Sequence, residues 1–313
     1  MPKLLTICVG WSVAISGDGT TIAIGAPFNN GPSGTSSGHV RVYRKDSTTQ
    51  SYKQIGSDID GNEPYASFGY SLAMSYDGTT IAVASNGSFN SGTGNVIRVF
   101  QKSLSSPEYR QIGSDIDIAE FLKPELVMSN DGGTIAISSY AYDGQFEEVC
   151  DKCGGFRVYE KDSSTQTYNP VSDIVIYSPE SSLVSSLAMS GDGTRILAGA
   201  SYAVSYGTVR AFQKNETSQQ VYVQLGSIII PTVSLESRGN FGWSVVMSND
   251  GATIAVGTPS YNDMYPGTVR VYTYPTTTTT ASSCGLLGQN IFCPFTFRGV
   301  LGRWLRRWLG LSN

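Results

Sequence analysis

Large apolar residues alternate with other residues in a short segment that recurs five times along the chain. The copies begin at positions 12, 71, 125, 186 and 244 and read SVAIS, SLAMS, ELVMS, SLAMS and SVVMS. Successive side chains of a β-strand point to opposite faces of its sheet, so the two large residues of a copy share one face. Each copy therefore predicts a strand, and the repetition predicts a fold built from similar units.

An Asp-Gly pair follows each of these strands and marks a tight hairpin turn. Successive aspartates are 59, 54, 61 and 58 residues apart, a period that suits a four-stranded unit better than a pair of helices. The pair is expected to supply the positive φ angles that such a turn requires. The aspartates are Asp18, Asp77, Asp131, Asp192 and Asp250.

Three further segments complete the repeating unit. The second strand, TIAIG in the first unit, is apolar on both faces, which indicates burial on both faces. The third strand reads HVRVY, VIRVF, GFRVY, TVRAF or TVRVY, and the fourth carries a Tyr-x-Gln-(Ile/Leu)-Gly pattern that is degenerate in the third unit. Four short strands joined by tight turns are typical of a propeller blade, so the sequence predicts an all-β propeller of about five blades.

The last unit stops after its third strand, so the sequence leaves one strand of its blade unassigned. Residues 3–8, KLLTIC, are the candidate for this strand, because joining the two ends of the chain in one blade closes many propellers. Two alternatives stay open. In the first, the chain is a fragment of a larger propeller. In the second, it completes its ring by dimerising.

A sharp change in composition after residue 274 divides the chain. The propeller is predicted over 1–274, with repeats at about 10–66, 67–120, 121–182, 183–239 and 240–274. Residues 275–283 are a Pro- and Thr-rich linker, and 284–313 are a cysteine-containing tail that does not read as a blade.

The segments FGWSV, VGTP and GTVRVY resemble the FG-GAP repeat of integrin α-subunit propellers, over roughly residues 10–274. The S-x-D-G-x-x-I-A core also resembles WD40-like repeats. The FG-GAP resemblance implies a propeller at a cell surface. Many FG-GAP repeats hold calcium in a D-x-D-x-D-G loop, whereas the turns SGDGTT and SNDGAT carry one aspartate each. Calcium takes six to eight oxygen ligands, so neither calcium nor another cofactor is predicted at these turns.

Composition and charge exclude several classes of function. Of the 313 residues 15% are charged, and the net charge of −4 gives no indication of nucleic-acid binding. The single histidine, His39, removes most histidine-based metal and acid–base chemistry. A serine or cysteine nucleophile needs a base within hydrogen-bond reach, and no G-x-S-x-G motif is present. No run of eighteen apolar residues predicts a membrane-spanning helix.

One arginine occupies the same place in every third strand. Its guanidinium is predicted to pair with a carboxylate of a neighbouring blade, and a cationic ring that binds acidic ligands is the alternative. The arginines are Arg41, Arg98, Arg157, Arg210 and Arg270, and the candidate carboxylates are Asp58, Asp60, Asp115 and Asp117. In the segment DIDGNE, Asp58, Asp60 and Glu63 are also candidates for a cation site, with a salt-bridged loop as the alternative.

Five cysteines are present, and four of them lie close together in pairs. Cys150 and Cys153 form C-D-K-C, and Cys284 and Cys293 lie in the tail, so two local disulfides would leave Cys8 free. Such disulfides suit an oxidising compartment. Reduced cysteines, or half of a zinc site at C-D-K-C, are the alternatives.

Two sequence features bear on the location of the chain. Asn86 and Asn215 stand in N-x-Ser/Thr triplets and are N-glycosylation acceptors if the chain is exported. The N-terminal segment faintly resembles a signal peptide, although it runs into the first repeat. An extracellular or cell-surface location is predicted, with a cytoplasmic one as the alternative.

The tail ends in VLGRWLRRWLGL, in which apolar and basic residues fall on opposite faces of a helix. Trp304 and Trp308 share the apolar face, and Arg303, Arg306 and Arg307 take the other. This pattern predicts peripheral contact with a membrane surface. A helix docked on the propeller itself and a disordered tail are the alternatives.

No catalytic constellation stands out, so the chain is predicted to be a non-catalytic surface or secreted propeller. Its partner would be a protein or a glycan bound by loops on one rim, where binding residues tend to lie. The alternatives are a propeller enzyme that acts on glycans and an intracellular WD40-like scaffold.

Overall fold

The computed structural model describes ten stretches of the chain. These are residues 10–87, 94–103, 105–118, 123–139, 155–175, 184–201, 207–215, 221–230, 240–259 and 267–273. They form β-strands and turns, and no helix occurs in them. The all-β prediction is therefore confirmed for these stretches.

Twenty antiparallel strands form five sheets in these stretches. The first sheet contains β1 (Ser12–Ile15), β2 (Thr21–Ala26), β3 (His39–Lys45), β4 (Tyr52–Gln54) and β5 (Ile59–Asp60). The second contains β6 (Ser71–Met74), β7 (Thr80–Ala84), β8 (Val96–Lys102) and β9 (Tyr109–Asp117). The third contains β10 (Glu125–Met128), β11 (Thr134–Ser139), β12 (Gly155–Lys161) and β13 (Tyr168–Val175). The fourth contains β14 (Ser186–Met189), β15 (Arg195–Ala200), β16 (Thr208–Lys214) and β17 (Tyr222–Ile229). The fifth contains β18 (Ser244–Met247), β19 (Thr253–Thr258) and β20 (Thr268–Thr273).

Within each sheet the strands pair in chain order, except that β4 and β5 both pair with β3. Each sheet is thus one blade, and the inner strands β1, β6, β10, β14 and β18 contact one another in sequence. The protein is a five-bladed β-propeller, as predicted. The fifth blade has three described strands, and the candidate closing strand at 3–8 lies outside the described residues.

Consecutive blades pack through apolar clusters between their broad faces. Val40 and Val42 of the first blade, for example, pack against Leu72 and Ile81 of the second, and all four are at most 8% exposed. Because neighbouring side chains on one strand point to opposite faces, each of blades two to four is apolar on both faces. The sequence feature that predicted burial on both faces is therefore the feature that stacks the blades.

The Asp-Gly turns differ in one respect from the sequence-based expectation. Only the glycine of each pair has a positive φ, between 66° and 73°, and the aspartate does not. In the first turn the Asp18 carboxylate accepts hydrogen bonds from the Ser16 hydroxyl (2.7 Å) and the Thr20 N–H (2.9 Å). The aspartate thus holds the turn closed through its side chain, in the manner of an Asx-turn.

The fourth strand is fastened to the turn of its own blade by its tyrosine. The Tyr52 hydroxyl donates to the Gly19 carbonyl at 2.6 Å, and the Tyr222 hydroxyl donates to the Gly193 carbonyl at 2.7 Å. The tyrosines of the second and third blades make the same bond. This bond accounts for the tyrosine of the Tyr-x-Gln pattern, and the degenerate third copy keeps that tyrosine.

Candidate functional site

The two ends of the propeller have different chemistry. One end carries the Asp-Gly turns, and the other is the end where the inner strands begin. At this second end Trp11, Phe28 and Trp243 are 39–53% exposed. The Trp11 ring lies 5.0 Å from Phe28 and 5.5 Å from Tyr70, measured between centroids. We call this surface, formed by Trp11, Phe28, Tyr70 and Trp243, the aromatic end.

Glu125 begins the inner strand of the third blade at the aromatic end. The other four inner strands begin with serine, and Ser12 and Ser186 use the hydroxyl to bond a carbonyl of the next blade. The Ser71 hydroxyl instead accepts the Leu126 N–H of the next blade at 3.0 Å, and the Glu125 carboxyl makes this same contact by accepting the Leu187 N–H. Glu125 therefore keeps the structural bond of the repeat and adds an ionisable group that the repeat does not need.

The surroundings of Glu125 change its acidity. Burial raises the pKa of its carboxyl from the usual 4.5 to about 7, although the hydrogen bond from Leu187 acts in the opposite direction. The side chain is partly buried, so its carboxyl keeps some access to solvent. A carboxyl with a pKa near neutrality can both accept and return a proton at physiological pH. Strongly perturbed carboxyls of this kind cluster at functional sites.

A polar cavity of about 280 Å³ opens beside the aromatic end, between the first two blades. Its lining includes one cation, Arg98, and three carboxylates, Glu63, Asp115 and Asp117. Arg98 is 7% exposed, bonds Asp115 at 3.0 Å and stacks over the Phe68 ring at 5.4 Å. The cavity therefore has an excess of negative charge.

The cavity and Glu125 are linked through Asn86. The Asn86 amide oxygen accepts the Lys123 N–H at 3.0 Å, two residues before Glu125. Ser85, the neighbour of Asn86, lines the cavity. The segment that presents Glu125 is thus held against the same loop that borders the cavity.

The repeated arginines pair with carboxylates, but not with those of a neighbouring blade. Arg41 bonds Asp58 at 2.9 Å, and Arg98 bonds Asp115 at 3.0 Å, in each case within one blade. The prediction of a neighbouring partner is therefore wrong for these two, because the partner comes from the outer edge of the same sheet. The guanidinium of Arg41 lowers the pKa of Asp58.

The residues proposed for a cation are only partly brought together. Asp58 is occupied by Arg41 and by the Gln54 amide, and Glu63 lines the cavity. Burial, followed by the charge of Asp58, raises the pKa of Asp60. In the described stretches no group of three or more His, Cys, Asp or Glu side chains is arranged to hold a metal ion.

His39 lies beside these carboxylates, opposite Asp60 in the β3–β5 pairing. It is 7% exposed, and burial lowers its pKa. The second contribution to this lowering comes from the charge of Arg41. A buried histidine in a strand is part of the blade structure.

Several predicted sites are not tested by the structure. Cys150, Cys153, Cys284 and Cys293 lie outside the described residues, as do Trp304, Trp308, Arg303, Arg306 and Arg307. Asn86 and Asn215 are partly buried, and their glycosylation stays a prediction. No helix in the described part of the chain is long and apolar enough to cross a membrane.

Comparison with known proteins finds likeness in structure alone. No protein-family model matches the chain, and no curated protein matches it in sequence. A periplasmic gluconolactonase from Pseudomonas aeruginosa is similar over 84% of this chain and 68% of its own, with a TM-score of 0.53 and 16% identity. A protein described as a 6-phosphogluconolactonase from Bacteroides uniformis is similar over 86% of this chain and 69% of its own, with a TM-score of 0.51 and 14% identity.

These comparisons correct the sequence-based account of function. The prediction of a non-catalytic binding module, without enzymatic activity, is contradicted because both similar propellers are lactonases by their descriptions. The comparisons support the propeller and the repeat, but give no support to membership of the FG-GAP or integrin group, to secretion, to glycosylation or to disulfides.

Sequence reasoning missed Glu125 and the aromatic end. The signal was nevertheless present. Among the five first strands, ELVMS alone begins with a charged residue, and three of these strands are preceded by Trp11, Tyr70 and Trp243. A departure from a repeat carries more functional information than the repeat itself, because packing does not explain it.

Proposed function

We propose that the protein is a propeller hydrolase that opens a neutral, sugar-derived lactone at the aromatic end. The observation that carries this proposal is Glu125, a carboxyl that replaces the serine of the other blades at the same end of the propeller as the exposed aromatic rings. Its raised pKa suits a group that exchanges protons near pH 7. The likeness to two propellers described as lactonases supports the same class of reaction.

Glu125 would act as a general base and then as a general acid. Its carboxylate accepts a proton from a water molecule while the water oxygen attacks the carbonyl carbon of the lactone. When the tetrahedral intermediate collapses, the ring C–O bond breaks and the leaving oxygen takes the proton back from Glu125. The sum is lactone plus water to hydroxy acid, and Glu125 is regenerated. Proton transfer of this kind contributes about 10²- to 10⁴-fold to rate.

The aromatic residues would bind the substrate. Trp11 and Trp243 each leave about half of their surface exposed at the same end as Glu125. The apolar face of a sugar ring can pack against such a ring, while its hydroxyl groups remain available for polar contacts. Exposed aromatic surface of this kind commonly marks a binding site.

The charge near the site favours a neutral substrate over a phosphorylated one. Three carboxylates and one arginine line the adjacent cavity, and the whole chain has a net charge of −4. A phosphate group would meet repulsion there, whereas a neutral lactone would not. The carboxylate product is an anion, so the same charge favours its release.

We also propose that the protein acts outside the cytoplasm, in line with the periplasmic location of the similar gluconolactonase.

The test is hydrolysis of gluconolactone and 6-phosphogluconolactone by the full chain, corrected for spontaneous opening of each lactone. We expect turnover of the neutral lactone and a lower kcat/KM for the phosphorylated one. Glu125→Ser inserts the residue of the other four blades, so it should keep the fold and lose activity by about 10²-fold or more. Glu108→Gln is the matched control, because Glu108 lies in the β8–β9 hairpin at the opposite end. Full activity of Glu125→Ser would refute the assignment.

A further inference from the structure

In the described residues, the first and last blades each leave one apolar face uncovered. The front face of blade one, formed by Val13, Ile15, Ile22 and Ile24, corresponds to the face that each later blade turns towards its predecessor. The four apolar clusters of the described residues join blades one to two, two to three, three to four and four to five. Among those residues no cluster joins blade five to blade one.

The exposure of the front face departs sharply from that of its equivalents. Val13 is 59% exposed, whereas Leu72, Leu126, Leu187 and Val245 at the same place in the other blades are 3–8% exposed. Those four residues are covered by the preceding blade. Val13 has the same kind of side chain without that cover.

The last blade is uncovered on the opposite side. Its back face is formed by Val246, Ala255, Val269 and Val271. Val246 is 58% exposed, whereas the equivalent Ala73 and Ala188 are 6% and 8% exposed. Val269 is 72% exposed, whereas the equivalent Val40 is completely buried.

Backbone hydrogen bonds between blades show the same polarity. In blades one to four, the N–H of the residue before the turn aspartate donates to the carbonyl of its equivalent in the next blade, at 2.8 Å in every case. These bonds are Gly17 to Tyr76, Tyr76 to Asn130, Asn130 to Gly191 and Gly191 to Asn249. Within the described residues the series leaves a donor, the Asn249 N–H, at the back face and an acceptor, the Gly17 carbonyl, at the front face.

We propose that a second copy of this chain covers these faces, with blade five of one copy packed against blade one of the next. The two faces belong to one chain, and they are complementary in the same way as the two faces that meet at each of the four internal interfaces. Each face carries the same apolar positions, and the same backbone donor or acceptor, that the equivalent face contributes where two consecutive blades meet. The contact is head-to-tail, so it joins two different surfaces and extends the stack of blades from one copy into the next.

The experiment is light scattering coupled to size exclusion, on the full chain at several concentrations. We expect wild type to exceed the monomer mass of 33.5 kDa. Val13→Asp removes the front face, and Val246→Asp removes the back face. Both positions are exposed, so each variant should fold and elute as a monomer. Ile230→Asp is the matched control, since Ile230 is 57% exposed and belongs to neither face, and it should associate like wild type.

Mixing the two variants tests the head-to-tail geometry. Val13→Asp keeps an intact back face and Val246→Asp an intact front face, so together they should form a one-to-one dimer of twice the monomer mass. A monomeric wild type would overturn the proposal, because the faces would then be uncovered or covered by the chain itself. Association that either single variant retains would also overturn it, since another surface would be responsible.

Discussion

Replacing Glu125 by glutamine should change how the stability of the protein depends on pH. The amide has nearly the same shape and can still accept the Leu187 N–H, but it cannot ionise. In the folded protein burial raises the pKa of Glu125 from 4.5 to about 7. The folded state therefore binds this proton more tightly than the unfolded state does, and stability falls as the pH rises from about 4.5 to about 7.

The size of this effect follows from the two pKa values. A difference of one pKa unit between the folded and unfolded states is worth about 1.4 kcal/mol, so ionisation of Glu125 above pH 7 lowers the free energy of unfolding by about 3 kcal/mol. Partial access to solvent reduces this, and we expect about 2 kcal/mol. Glu125→Gln should therefore be about 2 kcal/mol more stable than wild type at pH 8, and this advantage should be absent at pH 4.5.

Denaturant unfolding at pH 4.5, 5.5, 7 and 8 measures how the difference in stability between wild type and Glu125→Gln changes with pH. Other carboxyls titrate equally in both proteins, so their contributions cancel. Glu108→Gln, which replaces a glutamate at the opposite end of the propeller, is measured in parallel as the matched substitution. If wild type and Glu125→Gln have the same pH dependence, the carboxyl is not held in a site that opposes its ionisation. The argument for its acid–base role would then fail.

Other predictions concern the turns and the tail. Hydrogen bonds, which act against burial, lower the pKa of four turn aspartates, Asp18, Asp77, Asp192 and Asp250. Their contribution to the free energy of unfolding is therefore complete above about pH 4 and should be lost as the pH falls through the folded-state pKa. Measuring unfolding across an acid titration checks this. Gly251→Val should cost about 1–3 kcal/mol, because Gly251 has φ 66° and an added Cβ would lie 2.7 Å from the Arg195 side chain. An unchanged melting temperature would contradict this. A chain that ends at residue 274, or one that carries Trp304→Ala and Trp308→Ala, should sediment less with anionic vesicles than the full chain does; equal sedimentation of all three would refute membrane contact by the tail.

The blades were predictable because their signals are local and repeated. Alternation such as SLAMS sets a strand, Asp-Gly sets a turn, and a second strand apolar on both faces requires neighbours on both sides. The role of the aspartate was less predictable. Its side-chain bonds to Ser16 and Thr20 depend on the shape of the closed turn, whereas the glycine is recognisable from its conformational freedom alone.

Contacts between distant parts of the chain were harder to predict. The sequence had Asp58 and Asp115 among the candidate partners of Arg41 and Arg98, but it did not show that each pair lies within one blade. The constant spacing of 17 residues would have indicated this. The raised pKa of Glu125 could not be read from the sequence, because it depends on burial that exists only in the folded propeller. The uncovered faces of blades one and five likewise require knowledge of which blades are neighbours.

The most direct test of the account is the pH–rate profile of gluconolactone hydrolysis by the full chain and by Glu125→Gln. The account predicts that wild type hydrolyses the lactone above the spontaneous rate, with kcat/KM rising through an ionisation near pH 7. Glu125→Gln should lose about 10²-fold or more in kcat/KM, and its residual activity should lack that ionisation. A wild-type protein without activity above the spontaneous rate, or a variant with the wild-type profile, would contradict the account.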